Sequence, residues 1–262
     1  MLRFSFARAA ALAASFIVTG CASASALQGD NPATWRCEAS EPLKSDSAIL
    51  FVQKSAEYAG VAREIYANAT AAMQKLAHGK RRGTWFVIMD ADETLLDNSL
   101  YLAERRKCGL DFTPETWEQW VAEEAAGPVP GGAEFVLEVH RAGGYVAIVT
   151  NRSESSRAAT ITALERNTIA ADALLLHEEG APGDKSPRWR QAGEAIAEAK
   201  GGKPPKPIMW VGDQMGDLPA LSPGGEILRP LDQTVLEGGS EDFAEFGKTL
   251  FLLPNPLYGA WD

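Results

Sequence analysis

Between residues 84 and 213 the chain alternates between two patterns of apolar positions. Short continuous runs, TWFVIMD (84–90), YVAIVTNR (145–152), ALLLH and PIMWVGD (207–213), are β-branched or aromatic and apolar at successive positions, as strands buried on both faces are. The stretches AEFVLEVHRAGG, SSRAATITALERN and SPRWRQAGEAIAEAK carry apolar residues at helical spacing, the first closed by glycine. Upstream, residues 45–78 read as one or two alanine-rich helices ended by a GKRRG turn. TPETWEQWVAEEAA (113–126) opens with a Thr cap, Pro114 in the first turn and early acids, so a helix is predicted there too. Strands alternating with helices predict right-handed crossovers and an α/β fold, a doubly wound, mostly parallel sheet with a small helical cap lobe at 97–132. In such sheets ligands bind beyond the carboxyl ends of the strands.

Those ends carry the candidate chemistry. The first run stops at Asp90, with Asp92, Glu93 and Asp97 close behind; the second stops at Thr150 and Asn151; the third at Asp213, with Asp217 following. Lys185, in GDKSPRWR, lies between the last two. Carboxylates brought to one sheet edge raise one another's pKa unless a cation neutralises them, and a hard divalent ion with oxygen ligands, most simply Mg²⁺, does so. A calcium loop starting at Asp90 wants glycine at its sixth position and glutamate at its twelfth, where Leu95 and Tyr101 stand. A glycosyltransferase D-x-D motif does not call for the later lysine and paired aspartates. His78, His140 and His177 lack metal-ligand spacing, and neither a nucleophilic-histidine motif nor Gly-x-Ser-x-Gly is present.

VIMDADETLLDNSLY, YVAIVTNR, Lys185 and VGDQMGD resemble, in order, the four motifs of the haloacid dehalogenase superfamily of phosphotransferases. DADETLLDNSLY and LLPNPLYGAWD are similar to the class C bacterial acid phosphatases, over residues 45–262. Ala91 departs from the Ile or Leu more usual in that family. The resemblance implies a haloacid dehalogenase-like Rossmannoid core and a Mg²⁺-dependent acid phosphatase acting on small phosphomonoesters, nucleoside 5'-monophosphates among them. It makes Asp90 the nucleophile that forms an aspartyl phosphate and Asp92 the general acid and base. Thr150, the Asn151 backbone and Lys185 then bind the phosphoryl oxygens. Mg²⁺ is held by Asp90, the Asp92 carbonyl and Asp213, with Asp217 behind them or linked through water. Trp117 and Tyr258 become candidates to stack a nucleobase, although helical spacing of Trp117 and Trp120 equally suits packing of the cap. A narrow phosphatase or phosphotransferase of the same superfamily, and a non-catalytic surface lipoprotein retaining the fold, are the alternatives.

The N-terminus changes the setting. MLRFSFARAAALAASFIVTG has two arginines, a short apolar stretch and small residues before Cys21, the plan of a secretory signal over 1–20. Its apolar stretch is about half the ~20 residues a membrane span needs. VTGC resembles a lipobox, which implies a lipidated Cys21, a tether over 21–44 and a lipid-anchored protein of the bacterial cell envelope, at the outer membrane; cleavage near ASASA is the alternative. Removing 1–20 takes away Arg3 and Arg8 and no acid, so the net charge of −10 becomes −12. That field opposes nucleic acid polymers and anionic headgroups, leaving the N-terminal lipid as the membrane contact. Cys37 and Cys108 remain, either paired in an oxidising compartment or both free and buried.

Overall fold

A computed structural model describes residues 34–38, 46–232 and 243–260. They fall within one unit, Pro32–Asp262; the other, Met1–Asn31, lies outside the described residues, and with it the expected signal peptide and Cys21. Among the described residues no helix is long and apolar enough to cross a membrane.

The apolar runs become β1 (Trp85–Met89), β4 (Tyr145–Ser153), β5 (Ala173–His177) and β6 (Lys206–Gly212). With β9 (Leu250–Leu252) they form a five-stranded sheet in the order β5-β4-β1-β6-β9, parallel throughout. All of β1 is buried, and its side chains alternate between the two faces. Val87 and Met89 join one core, beneath α2 (Ala56–Ala77) and α5 (Gly132–Ala142); Phe86 and Ile88 join the other, against Trp189 and Ile196 of α7 (Ser186–Lys200). The chain runs outward from β1 to β4 and β5, then crosses to β6 on the other side. That reversal leaves a crevice at the carboxyl end of β1.

Helix starts follow the sequence signals. α1 (Ser47–Lys54) is capped by Asp46, whose side chain accepts from the Ile49 amide at 2.8 Å, and Ser55 caps α2. α6 (Arg157–Arg166) fills the β4–β5 connection, and α5 ends at Gly143, whose φ of 91° is the left-handed conformation that closes helices. The cap holds α3 (Ser99–Lys107), α4 (Pro114–Ala122) and the antiparallel pair β2 (Leu96–Asp97) with β3 (Gly127–Pro128). Thr113 caps α4 as predicted, but the helix stops at Ala122 and not at 126, because Glu124 takes a φ of 54°. The remaining pair, β7 (Pro219–Leu221) with β8 (Ile227–Pro230), stands beside the end of β6.

Residues 34–38, expected within the tether, are instead bound to the cap. Trp35 is 3% exposed and meets Trp120 edge-on at 4.9 Å, while its indole N–H donates to Glu123 at 2.7 Å. Arg105, buried in α3, donates to the Thr34 carbonyl at 2.8 Å. Cys37 is disulfide-bonded to Cys108 just past α3, with the Cα atoms 5.6 Å apart. A buried indole and a covalent link both remove the freedom a tether needs.

Candidate active site

Asp90 leaves β1 with its amide still in the sheet, donating to the Val211 carbonyl at 3.0 Å. The chain then turns tightly, Leu95 and Leu96 both donating to the Ala91 carbonyl at 2.8 Å, while Glu93 takes a φ of 54°. A non-glycine residue in that region is strained, and the surroundings hold it. The Glu93 carboxyl accepts from the Asn98 amide at 2.8 Å and from the Tyr258 hydroxyl. The turn places Asp92 and Thr94 near the ends of β4 and β6.

Lys185 stands just before α7 and is 5% exposed. Its ammonium bridges two carboxylates, donating to Asp90 Oδ1 and, at 2.6 Å, to Asp217 Oδ1. Asp217 Oδ2 accepts from the amides of Asp213 at 3.2 Å and Gln214 at 2.8 Å. Gly212 makes this closeness possible, since a Cβ there would lie 2.2 Å from that of Asp217. Asp213 is gripped by side chains: Oδ1 accepts from Thr94 Oγ1 at 3.0 Å, and Oδ2 from Gln214 at 3.1 Å and Asn255 at 2.8 Å. Thr150, fully buried, accepts on its hydroxyl from the Arg152 amide at 3.1 Å, which leaves the hydroxyl proton to donate. Asn151 is exposed beside it, its side-chain oxygen accepting from Arg188 at 2.6 Å.

Asp90, Asp213 and Asp217 each offer an oxygen within 4.8 Å of the others. Burial pushes Asp90 well above the usual carboxylate range; Lys185 pulls the other way, and Asp217 and Asp213 add to the rise. Asp213 is pushed up to about 8 by burial and then by Asp217 and Glu93. Glu93 also rises to about 8, through burial and the charge of Asp92. Burial disfavours the Lys185 ammonium, but Asp217 and Asp90 outweigh it and raise its pKa. Four buried carboxyls, Asp90, Glu93, Asp213 and Asp217, thus share the site with two buried cations, Lys185 and Arg152. An all-oxygen donor set with surplus negative charge fits a hard divalent cation.

Two adjoining cavities open here. One of about 280 Å³ is lined by Asp90, Asp92, Thr150, Asn151, Lys185 and Asp213. The other, about 790 Å³, shares Asp92, Asn151 and Tyr258 with it and adds Tyr101, Phe112 and Trp117 from the cap. Trp117 is half-buried, edge-on to Tyr101 at 5.2 Å, and Phe112 is 56% exposed. Tyr258 lines both cavities while its hydroxyl is spent on Glu93. The sequence-predicted residues Asp90, Asp92, Thr150, Asn151, Lys185, Asp213 and Asp217 are therefore gathered at one cavity, and Trp117 and Tyr258 at its neighbour.

Sequence reasoning noted Glu93 among the acids without giving it a role, and missed the other residues that orient these groups: Thr94, Asn98, Arg152, Gln214 and Asn255. Arg152 had a signal, because two residues beyond Thr150 on a strand it shares the same face. Its guanidinium, 2% exposed, forks onto Asp92 from Nη2 at 2.7 Å and Nε at 3.0 Å. Of the histidines, His140 pairs with Asp172 at 2.8 Å, and His177, which meets the Ala181 carbonyl at 2.8 Å, lines the larger cavity.

Two comparisons bear on this arrangement. A class C acid phosphatase from Bacillus anthracis, solved with tungstate bound, is 24% identical, covers 82% of this chain and 84% of its own, and superposes with a TM-score of 0.65. A second structure of the class C acid phosphatase from Bacillus anthracis gives 0.66 at the same 24% identity and coverage. Both have the fold described above. The family model described as HAD superfamily, subfamily IIIB (acid phosphatase) matches residues 8–261. With the crowded carboxylates and bridging lysine in the crevice such a fold provides, the chain belongs to that family of acid phosphatases and is a phosphoric monoester hydrolase.

Proposed function

We propose that the protein is a Mg²⁺-dependent class C acid phosphatase that hydrolyses small phosphomonoesters, nucleoside 5'-monophosphates included, through an aspartyl phosphate on Asp90. The observation that carries this is the Lys185 ammonium held between Asp90 and Asp217, at a cavity also lined by Thr150 and Asn151. A carboxylate oxygen of Asp90 attacks phosphorus as the bond to the leaving oxygen breaks. Asp92 gives that oxygen a proton. In the second step Asp92 takes a proton from water, whose oxygen attacks phosphorus, and the Asp90–phosphorus bond breaks to free phosphate. Lys185 and the Thr150 hydroxyl, with the Asn151 backbone, hold the phosphoryl oxygens in position. Asp90, Asp213 and the Asp92 carbonyl would hold Mg²⁺, with Asp217 behind them, and the ion when bound supplies positive charge to the phosphoryl group.

Phosphate release measured across nucleoside monophosphates and simple aryl phosphates tests the reading. Turnover is expected with Mg²⁺, loss on EDTA, and recovery when Mg²⁺ returns; turnover indifferent to EDTA would refute the metal dependence. The aromatic wall of the larger cavity favours a base-bearing leaving group, since stacking is worth about 1–3 kcal/mol per base. Trp117→Ala is then expected to lose most of the preference for nucleoside monophosphates and to keep small-ester hydrolysis. Equal loss of both would reduce Trp117 to a packing residue.

The same proposal sets the protein in the cell envelope, anchored by lipid on Cys21. The Cys37–Cys108 disulfide supports an oxidising compartment. Cys21→Ser is expected to move the protein from the membrane fraction to the soluble one.

A further inference from the structure

We infer that Arg152, together with Asn98, is a positioning residue for Asp92, anchoring its Oδ1 and leaving Oδ2 as the oxygen that carries the proton to and from substrate. The inference rests on the proposed role of Asp92 as general acid and base. Oδ1 accepts three hydrogen bonds, from Arg152 Nη2 at 2.7 Å, Asn98 Nδ2 at 2.9 Å and Arg152 Nε at 3.0 Å. Oδ2 has one long contact, 3.2 Å from the same Nε. A proton on Oδ1 would face only donors, whereas on Oδ2 it points away from most of them.

The anchors are themselves fixed. Trp120 Nε1 donates to Asn98 Oδ1 at 2.8 Å, and Arg152 Nη2 reaches the same oxygen at 3.3 Å. This settles the direction of the Asn98 amide, whose nitrogen faces Asp92. Arg152 Nη1 lies 3.5 Å from Thr160 Oγ1 of α6, and its guanidinium carbon 5.9 Å from the Trp117 ring. Groups from β4, the cap and the turn after β1 thus meet at one carboxylate. Asp92 keeps 15% of its side chain exposed and lines both cavities, so a reacting group can approach it.

The proton ledger closes on Oδ2. In the first step the bond between Asp90 and phosphorus forms, the ester oxygen departs, and the Oδ2 proton goes to it. In the second, Oδ2 receives a proton from the attacking water as the Asp90–phosphorus bond breaks. Lysine at position 152 keeps the charge but cannot fork onto Oδ1. If Arg152 merely joined cap to core, its replacement would slow all substrates alike. If it positions the acid, the loss grows as the leaving group becomes harder to expel.

The test compares Arg152→Lys and Asp92→Asn with the wild-type enzyme, in added Mg²⁺, on p-nitrophenyl, phenyl and alkyl phosphates, with folding checked by thermal melting. A positioned general acid is worth about 10²- to 10⁴-fold. Arg152→Lys is expected to lose about 10²-fold in kcat on the alkyl ester and about tenfold less on the p-nitrophenyl ester, with KM nearly constant. A graded loss in Asp92→Asn with a uniform loss, or none, in Arg152→Lys overturns the inference and leaves the role of Asp92 standing. A uniform loss in Asp92→Asn overturns both. Independently of how the variants fold, a wild-type crystal structure with Mg²⁺ and vanadate is expected to keep Oδ1 on Arg152 and to turn Oδ2 toward an apical oxygen. Asp92 found detached from Arg152 there would also overturn the inference.

Discussion

Each acidic residue of the site is set apart by what touches it. Asp90 has the Lys185 ammonium and faces a cavity, so Asp90→Asn removes the proposed nucleophile and is expected to cut turnover by about 10⁴-fold or more in a phosphate-release assay. Glu93 and Asp213 rise from ordinary values of 4.5 and 3.8 to about 8. A carboxyl whose folded pKa is raised binds its proton more tightly folded than unfolded. It therefore favours the fold below its unfolded pKa, and that advantage is lost as pH climbs toward the folded value. Metal-free protein should therefore lose stability as pH rises from the ordinary carboxylate range toward about 8. In melting experiments with EDTA the transition is expected to be lower at pH 8 than at pH 5.5, and Mg²⁺ should narrow the gap. The acids at strand ends were legible in the sequence because like charge after an apolar run needs a cause. Asn98, Gln214 and Asn255 were not, because neutral amides are common in turns and their worth lies in partners far along the chain.

At the level of elements, strands and helices that repeat a period over many residues were legible, and short ones were not. β1, β4 and α7 carry clear patterns, whereas β9 has three residues and β2 and β3 two each, too few to show a period. α3 is hidden differently: SLYLAERRK is strongly charged, and its buried face includes Arg105, satisfied by backbone carbonyls of Thr34 and Asp111. The segment that supplies Thr34 is itself held by the disulfide. Cys37 and Cys108 are 71 residues apart, and closing such a loop in the unfolded chain is worth about 4 kcal/mol by the chain-entropy account. Cys37→Ser is expected to lower stability by about that much in denaturant titration. A cost below about 1 kcal/mol would mean that Trp35 and Arg105 hold the segment unaided.

For the whole molecule, sheet order decides where chemistry can occur. With β1 central and the chain reversing around it, groups from residues 90 to 258 reach one crevice, while a net charge of −10 surrounds it. That charge repels an anionic ester at long range, so on the proposed function capture depends on Lys185, the cation proposed beside it and contacts at the mouth. The far end of the chain completes the ring: Asn255 holds Asp213, the Tyr258 carbonyl accepts from Gln214 at 3.0 Å, and Arg106 of the cap reaches the Leu257 carbonyl at 2.5 Å. A chain cut after Leu252 is therefore expected to retain the five strands by circular dichroism yet to release no phosphate. Seen from synthesis, the same contacts set an order: Asp90 leaves the ribosome early, but a growing polypeptide is expected to lack the finished pocket until Asn255 and Tyr258 have joined Asp213 and Gln214.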